Sequence, residues 1–214
     1  LLTTLRALND TPVDPDRRGV ALNAIRALGL LQDDRAAADL RDLLMSTDYT
    51  VREEAARSLG TMGSHAAAEA IRSLLDSGVD GAGREQPSSP LLQEPCEALL
   101  EALGDIGISD AATLATLESF TQHPRPLIRS AACRALLQLT GDAAWGEQLI
   151  QLLQHPEPLV RRGALLDLGA TGWTAAVETM SAAAVEPSLK LVALKGLAEQ
   201  SSDPAVLDAM DALL

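Results

Sequence analysis

His123-Pro124-Arg125-Pro126-Leu127-Ile128-Arg129 is followed, at a constant offset, by His155-Pro156-Glu157-Pro158-Leu159-Val160-Arg161. After each arginine comes a run of small residues, Ser130-Ala131-Ala132 in one copy and Arg162-Gly163-Ala164 in the other. Each copy then reaches a leucine at the same interval, Leu136 and Leu168. Near-copies of about 30 to 47 residues are the signature of a helical repeat protein, in which one unit cannot bury its own apolar face and stacks on the next.

The same leucine recurs as Leu28, Leu59, Leu103, Leu136, Leu168 and Leu197, and glycine follows it at Gly29, Gly60, Gly104 and Gly169. The step from Leu59 to Leu103 is long, so a segment is inserted between the second and third units, at about 77–91. Two turns before the leucine stands a cation in four units: Arg52, Arg129, Arg161 and Lys190. Ala21 and Cys96 hold that place in the other two. Asp48, Glu157 and Glu186 lie one turn before their cations, a spacing that predicts acid–base pairs within the helix start and acids at the positive end of its dipole. The fourth unit has Arg125 in the acid slot. These spacings predict an all-α fold, a HEAT-like α–α superhelix of about six helix pairs, with 1–214 forming a single solenoid.

The composition agrees with helices. The chain has 214 residues, 47% hydrophobic, with only 2% aromatic and a net charge of −13. Alanine and leucine suit helices packed closely through small side chains. So acidic a chain is a poor general ligand for nucleic acid, which needs dense Lys and Arg on phosphate. No apolar run approaches the ~18 residues of a membrane span. Two cysteines point to a reducing compartment, and a cytoplasmic location is expected. No charged segment precedes Leu1, so no signal peptide is expected, and the absence of a starting Met predicts a further repeat before it.

Reading in order, Leu1, Leu2, Leu5 and Leu8 predict a helix over 1–9, and Pro12 and Pro15 a loop. First helices of the pairs are predicted over 16–29, 49–61, 92–105, 126–139, 158–170 and 187–199. Second helices are expected from Asp33 and Asp34 onward and over 65–76, 110–122, 142–154, 173–184 and 203–214. Ser64, Asp110, Asp142 and Asp203 are the expected N-caps, and Pro95, Pro126, Pro158 and Pro187 occupy first turns. The glycine- and proline-rich segment from Gly78 to Pro90, which holds Arg84, is expected to contain no helix. Insertions of this kind often serve binding.

Nothing in the sequence assembles a catalytic constellation. There is no Ser-His-Asp arrangement, no glycine-rich phosphate loop and no HExxH. His123 and His155 read as turn residues of the repeat, and no metal site is expected. Cys133 falls on the packing stripe. Cys96 stands at a helix start, where a thiol pKa is lowered. Arg52, Arg129, Arg161, Arg162 and Lys190 line one edge of the first-helix layer, either as a ladder between repeats or as anion ligands. Arg125 and Arg129 have no acid one turn away and are the candidates for an external carboxylate, with Glu118 or Glu157 as the alternative source of charge. Tyr49 and Trp145 complete the candidate binding set with Arg84.

Several stretches resemble a known family. Val51-Arg52-Glu53-Glu54-Ala55-Ala56-Arg57-Ser58-Leu59-Gly60, Leu75-Asp76-Ser77-Gly78-Val79 and Glu97-Ala98-Leu99-Leu100-Glu101-Ala102-Leu103-Gly104 are similar to the E subunit of the E/F-type phycobilin lyases. So are the stretches from Gln138 to Glu147, Arg161 to Gly169 and Ser188 to Leu197. Repeat spacing alone does not give Leu139-Thr140-Gly141-Asp142-Ala143-Ala144-Trp145-Gly146-Glu147. The resemblance implies a heterodimer with an F subunit that attaches a linear tetrapyrrole, usually phycocyanobilin, to a cysteine of the phycocyanin α subunit through a thioether. It implies bilin as substrate and no permanently bound cofactor. Two departures stand out: an aromatic-rich repeat is often found ahead of this region in the family, and tyrosine is common where Cys96 stands. The alternatives are a non-catalytic HEAT scaffold for phycobiliproteins and a lyase for another bilin.

Overall fold

The computed structural model describes residues 2–5 and 15–214. Residues 2–5 are helical, and the rest of the helix expected over 1–9, with Pro12, lies outside the described residues. Pro15 does not mark a loop. It opens α1 (Pro15–Leu30) at a helix start, where its fixed φ fits and its missing N–H is harmless. No strand occurs among the described residues.

The chain divides into two compact units, Leu1–Ser119 and Phe120–Leu214. In the first, α1 packs on α3 (Tyr49–Thr61), and α3 packs on α6 (Cys96–Ile106). These are the first helices of three repeats. The second helices are α2 (Ala37–Leu43), entered through a 3₁₀ turn at Asp34–Ala36, α4 (His65–Leu75) and α7 (Ala111–Ser119). Between α4 and α6 lies the single turn α5 (Gly78–Gly81).

The second unit repeats the plan. Its first helices α8 (Pro126–Thr140), α10 (Pro158–Gly169) and α12 (Pro187–Gln200) pack in succession. Its second helices are α9 (Ala143–Leu152), α11 (Val177–Ala182), preceded by a 3₁₀ turn at Thr174–Ala176, and α13 (Pro204–Asp211). Two layers of helices around a shared apolar seam are the expected all-α repeat architecture.

The recurring leucine is the seam. Leu28, Leu59, Leu103, Leu136, Leu168 and Leu197 are each no more than 1% exposed. Burying one such side chain is worth about 1.5–3 kcal/mol. The glycine after it has a separate role. A Cβ on Gly60 would stand 2.9 Å from Ala102 Cα, and one on Gly169 only 2.5 Å from Ala193 O. Leucine fills the seam between layers, and glycine lets the next first helix approach backbone to backbone.

Helix ends follow the sequence with local exceptions. Asp142 and Asp203 accept from the backbone N–H of Ala144 and Ala205, and Asp110 from that of Thr113. Ser64 occupies the N-cap position without a side-chain cap bond. Gly107 and Gly141 end α6 and α8 in the left-handed conformation that a Cβ disfavours.

The inserted segment departs from expectation. Gly78–Gly81 does close one helical turn. Beyond it Glu85 pairs with Leu92 in an isolated antiparallel bridge, flanked by Gln86 N–H donating to Leu91 O (2.9 Å) and Gln93 N–H to Arg84 O (2.6 Å). Ala82 and Leu92 are buried at 1% and 4% exposure, so two apolar anchors inside a polar, glycine-rich run fix the segment to the body.

Candidate functional site

The cations of the repeat slot begin as helix-start residues, and their side chains turn back onto the loop before the helix. Arg129 Nη1 donates to His123 O (2.8 Å) and Pro124 O (3.3 Å). Arg161 Nη1 donates to His155 O (2.8 Å) and Pro156 O (2.9 Å), at the equivalent positions. Arg52 Nη1 reaches Ser46 O (3.3 Å), and Lys190 Nζ reaches Ser181 O (2.6 Å). These carbonyls lie at and just beyond the ends of second helices, where no intrahelical donor is available. The same arginines also reach forward: Arg161 Nε donates to Ala184 O (3.1 Å) and Arg52 Nη2 to Gln93 O (2.6 Å). Arg52 and Arg161 thus join the loops of successive repeats, while Arg129 and Lys190 bond carbonyls before their own helix.

The acids expected to pair with those cations one turn away do not do so. Asp48, Glu157 and Glu186 are the N-cap residues of α3, α10 and α12. Asp48 pairs with Arg18 of the preceding first helix (2.7 Å), and Glu186 pairs with Arg162. The same cross-repeat pattern joins Arg26 to Glu54 (2.7 Å) and Arg57 to Glu101. The Arg162 guanidinium holds the Glu186 carboxyl down at about 2. The helices alternate in two layers, so each first helix lies beside the preceding one, and Asp48 and Glu186 take their cations from it.

His123 and His155 form the turn itself. Each Nδ1 accepts the backbone N–H two residues on, from Arg125 (3.0 Å) and Glu157 (3.1 Å). Ser46 does the same for Asp48 through its hydroxyl (3.2 Å). His123 is 2% exposed and stacks on Phe120, and its Nε2 has no hydrogen-bond partner. Burial, reinforced by the Arg125 and Arg129 charges, lowers its pKa.

The remaining candidates are dispersed. Tyr49 is half-buried under the Arg52 guanidinium, 5.7 Å from ring centre to Cζ. Burial and the neighbouring Glu53 charge push its phenol up to about 12. Arg52 lies 3.8 Å from Glu94, whose carboxyl is raised by burial against the opposing Arg52 charge. Arg84 is exposed on the inserted segment and donates to Asp80 O (2.6 Å). Trp145 packs against the core of the second unit. Arg125 and Arg129 do not stand as an unpartnered pair: Arg129 bonds the two loop carbonyls, and Arg125 has an interaction of its own within the chain. Their lack of an acid one turn away therefore gives no reason to invoke an outside anion.

Cys96 is not a reactive thiol at an open helix start. It is 1% exposed, and its Sγ–H donates to Ala82 O (3.4 Å), tying the inserted segment down. Cys133 is fully buried, its thiol pushed to about 12 by burial and the Asp167 charge.

One cluster was missed by sequence reasoning. Ser130 on α8 donates its hydroxyl to Asp167 on α10, and Arg134 Nη1 lies 3.8 Å from the other Asp167 oxygen. Asp167 is 8% exposed. The signal was available: a carboxylate directly before the seam Leu168, on a buried stripe, demands a partner.

The comparisons follow this geometry. The family model for HEAT repeats matches residues 4–86. A protein named bilin biosynthesis protein RpcE, from Synechococcus sp. (strain WH8020), is 56% identical over 100% of this chain and 81% of its own length. A phycocyanobilin lyase subunit alpha from Picosynechococcus sp. is 43% identical over 93% of this chain and 73% of its own. Among solved structures, the complex of CpcE and CpcF of phycocyanin lyase from Nostoc sp. contains a chain similar at TM-score 0.82 and 43% identity. That match covers 91% of this chain and 74% of the other.

Proposed function

The chain belongs to the family of phycocyanobilin lyase alpha subunits, and on that premise we propose that it is one half of a heterodimeric lyase that attaches a bilin to a phycobiliprotein. The observation that carries this reading is the match in sequence and fold, at 43% identity and TM-score 0.82, to a chain from a complex of two lyase subunits. The bilin is phycocyanobilin and the acceptor a cysteine of the phycocyanin α subunit. The partner is an F-type subunit.

The chemistry asks for little covalent work by the protein. The acceptor thiol adds across the ethylidene of bilin ring A, forming the C–S bond, and the adjacent ring carbon gains a proton. Holding one bilin conformer against a positioned thiol supplies most of what such an addition needs. Two-layer helical units with cations held by backbone carbonyls are suited to that task.

A second reading concerns the bilin alone. The relative at 56% identity carries a name that specifies no bilin, whereas three relatives named for phycocyanobilin match at 43% to 45%. Reconstitution tests both readings. The chain, an F-type subunit and apo-α-phycocyanin are combined with phycocyanobilin or with phycoerythrobilin. A coloured α subunit that survives denaturation is expected with phycocyanobilin, only when both subunits are present. Colour from the single chain would overturn the two-subunit reading. Colour with phycoerythrobilin alone would reassign the substrate.

A further inference from the structure

The second unit confines its cations to one layer, which also carries Glu157, Asp167, Glu186 and Glu199. Every lysine and arginine of residues 120–214 lies on α8, α10 or α12, or at the N-cap of α8. The second helices of that unit carry acids and no cation: Glu147 on α9, Glu178 on α11, Asp208 and Asp211 on α13. The first unit does not segregate in this way, since Arg41 lies on α2 and Arg72 on α4.

The cationic layer also exposes large apolar side chains. Leu159 is 62% exposed, Leu166 41% and Val192 57%. Leu159 and Leu166 are two turns apart on α10 with Arg162 between them, and Val192 lies on the neighbouring α12 one turn before the exposed Lys195. The opposite faces of α10 and α12 are buried toward the second helices, so these stripes point away from that layer. Gly163 lets Leu127 of α8 pack closely beside the strip, since a Cβ there would stand 2.5 Å from the Leu127 side chain. Single exposed apolar residues are ordinary, but a strip across adjacent helices marks a ligand surface.

An occupant must match an apolar strip bordered by cations in a chain of net charge −13. We infer that the strip formed by Leu159, Leu166 and Val192 receives the rings of a linear tetrapyrrole, with Arg162 and Lys195 placed for its two propionates. This rests on the lyase reading and adds to it the place of the substrate on this subunit. Arg162 is engaged by Glu186 and Lys195 by Glu199, both exposed pairs. Such pairs are worth little in water and exchange readily for another carboxylate.

The test uses the complex with the F-type subunit and phycocyanobilin as probe. Binding is read from the bilin absorption change, complex formation by size exclusion, and transfer onto apo-α-phycocyanin separately. The double variant Leu159→Ser, Leu166→Ser is expected to weaken bilin binding at least tenfold, with the complex and the helical signal intact. Glu186→Gln releases Arg162 from its rival carboxylate and is expected to tighten binding by a fewfold at low salt, where charge is less screened. Unchanged binding in both variants would overturn the inference. So would loss of complex formation with bilin affinity retained, which would make the strip a protein-docking surface. If the parent complex binds bilin but transfers none, the lyase reading fails while the strip stands.

Discussion

Arg161 shows how a repeated cation acquires a structural meaning. Its guanidinium joins His155 O, Pro156 O and Ala184 O, three carbonyls from two successive loops. Arg161→Met keeps the length of the stem and removes every donor. It is expected to lower unfolding stability by about 1–3 kcal/mol, the cost of leaving such acceptors without a charged donor. Urea denaturation checks this, and an unchanged midpoint would deny the ladder. His123 gives a prediction in pH. Its folded pKa lies below the unfolded value near 6.5, so the folded state resists protonation. Stability is complete above that value and falls as pH drops from about 6.5 toward the lowered folded pKa. His123→Asn keeps an acceptor for the Arg125 N–H and removes the titration. The melting temperature of the variant is expected to vary less between pH 7.5 and 5.5 than that of the parent. Parallel profiles would exclude His123.

At the scale of elements, the leucine interval carried most of the fold. It placed six first helices because each of those leucines is buried between the helices of its own unit. The glycine following it was legible as a motif but not as a contact. Only the structure shows Gly169 against Ala193 O. Gly169→Ala is expected to force α10 and α12 apart and cost about 1–3 kcal/mol, as overpacking does. Calorimetry that shows no loss would refute the close approach. What the sequence misled on has a common cause. Asp48 and Arg52 are neighbours along one helix, yet Asp48 pairs with Arg18 from the previous repeat, because local spacing does not reveal which helix lies across the layer. The glycines and prolines around Gly78 predict an irregular segment. Its turn, its bridge and its buried Ala82 and Leu92 come from tertiary anchoring, including the Cys96 thiol on Ala82 O. Asp167 was legible as a carboxylate on the buried stripe, but its partners Ser130 and Arg134 were not, since they lie on a different helix.

At the scale of the whole molecule, composition excluded partners better than it identified any. No helix among the described residues is long and apolar enough to cross a membrane. The candidate binding residues named from sequence are spread over both units, and most serve backbone carbonyls or the core. The functional reading rests on family membership, with the apolar and cationic strip of the second unit as its physical counterpart. The most direct test is the bond itself. Apo-α-phycocyanin incubated with phycocyanobilin, this chain and an F-type subunit is digested, and the acceptor peptide is weighed. The account predicts one cysteine peptide heavier by the mass of a whole bilin, absent when either subunit is left out. A peptide of unmodified mass in the complete mixture, with both subunits folded and assembled, would contradict it.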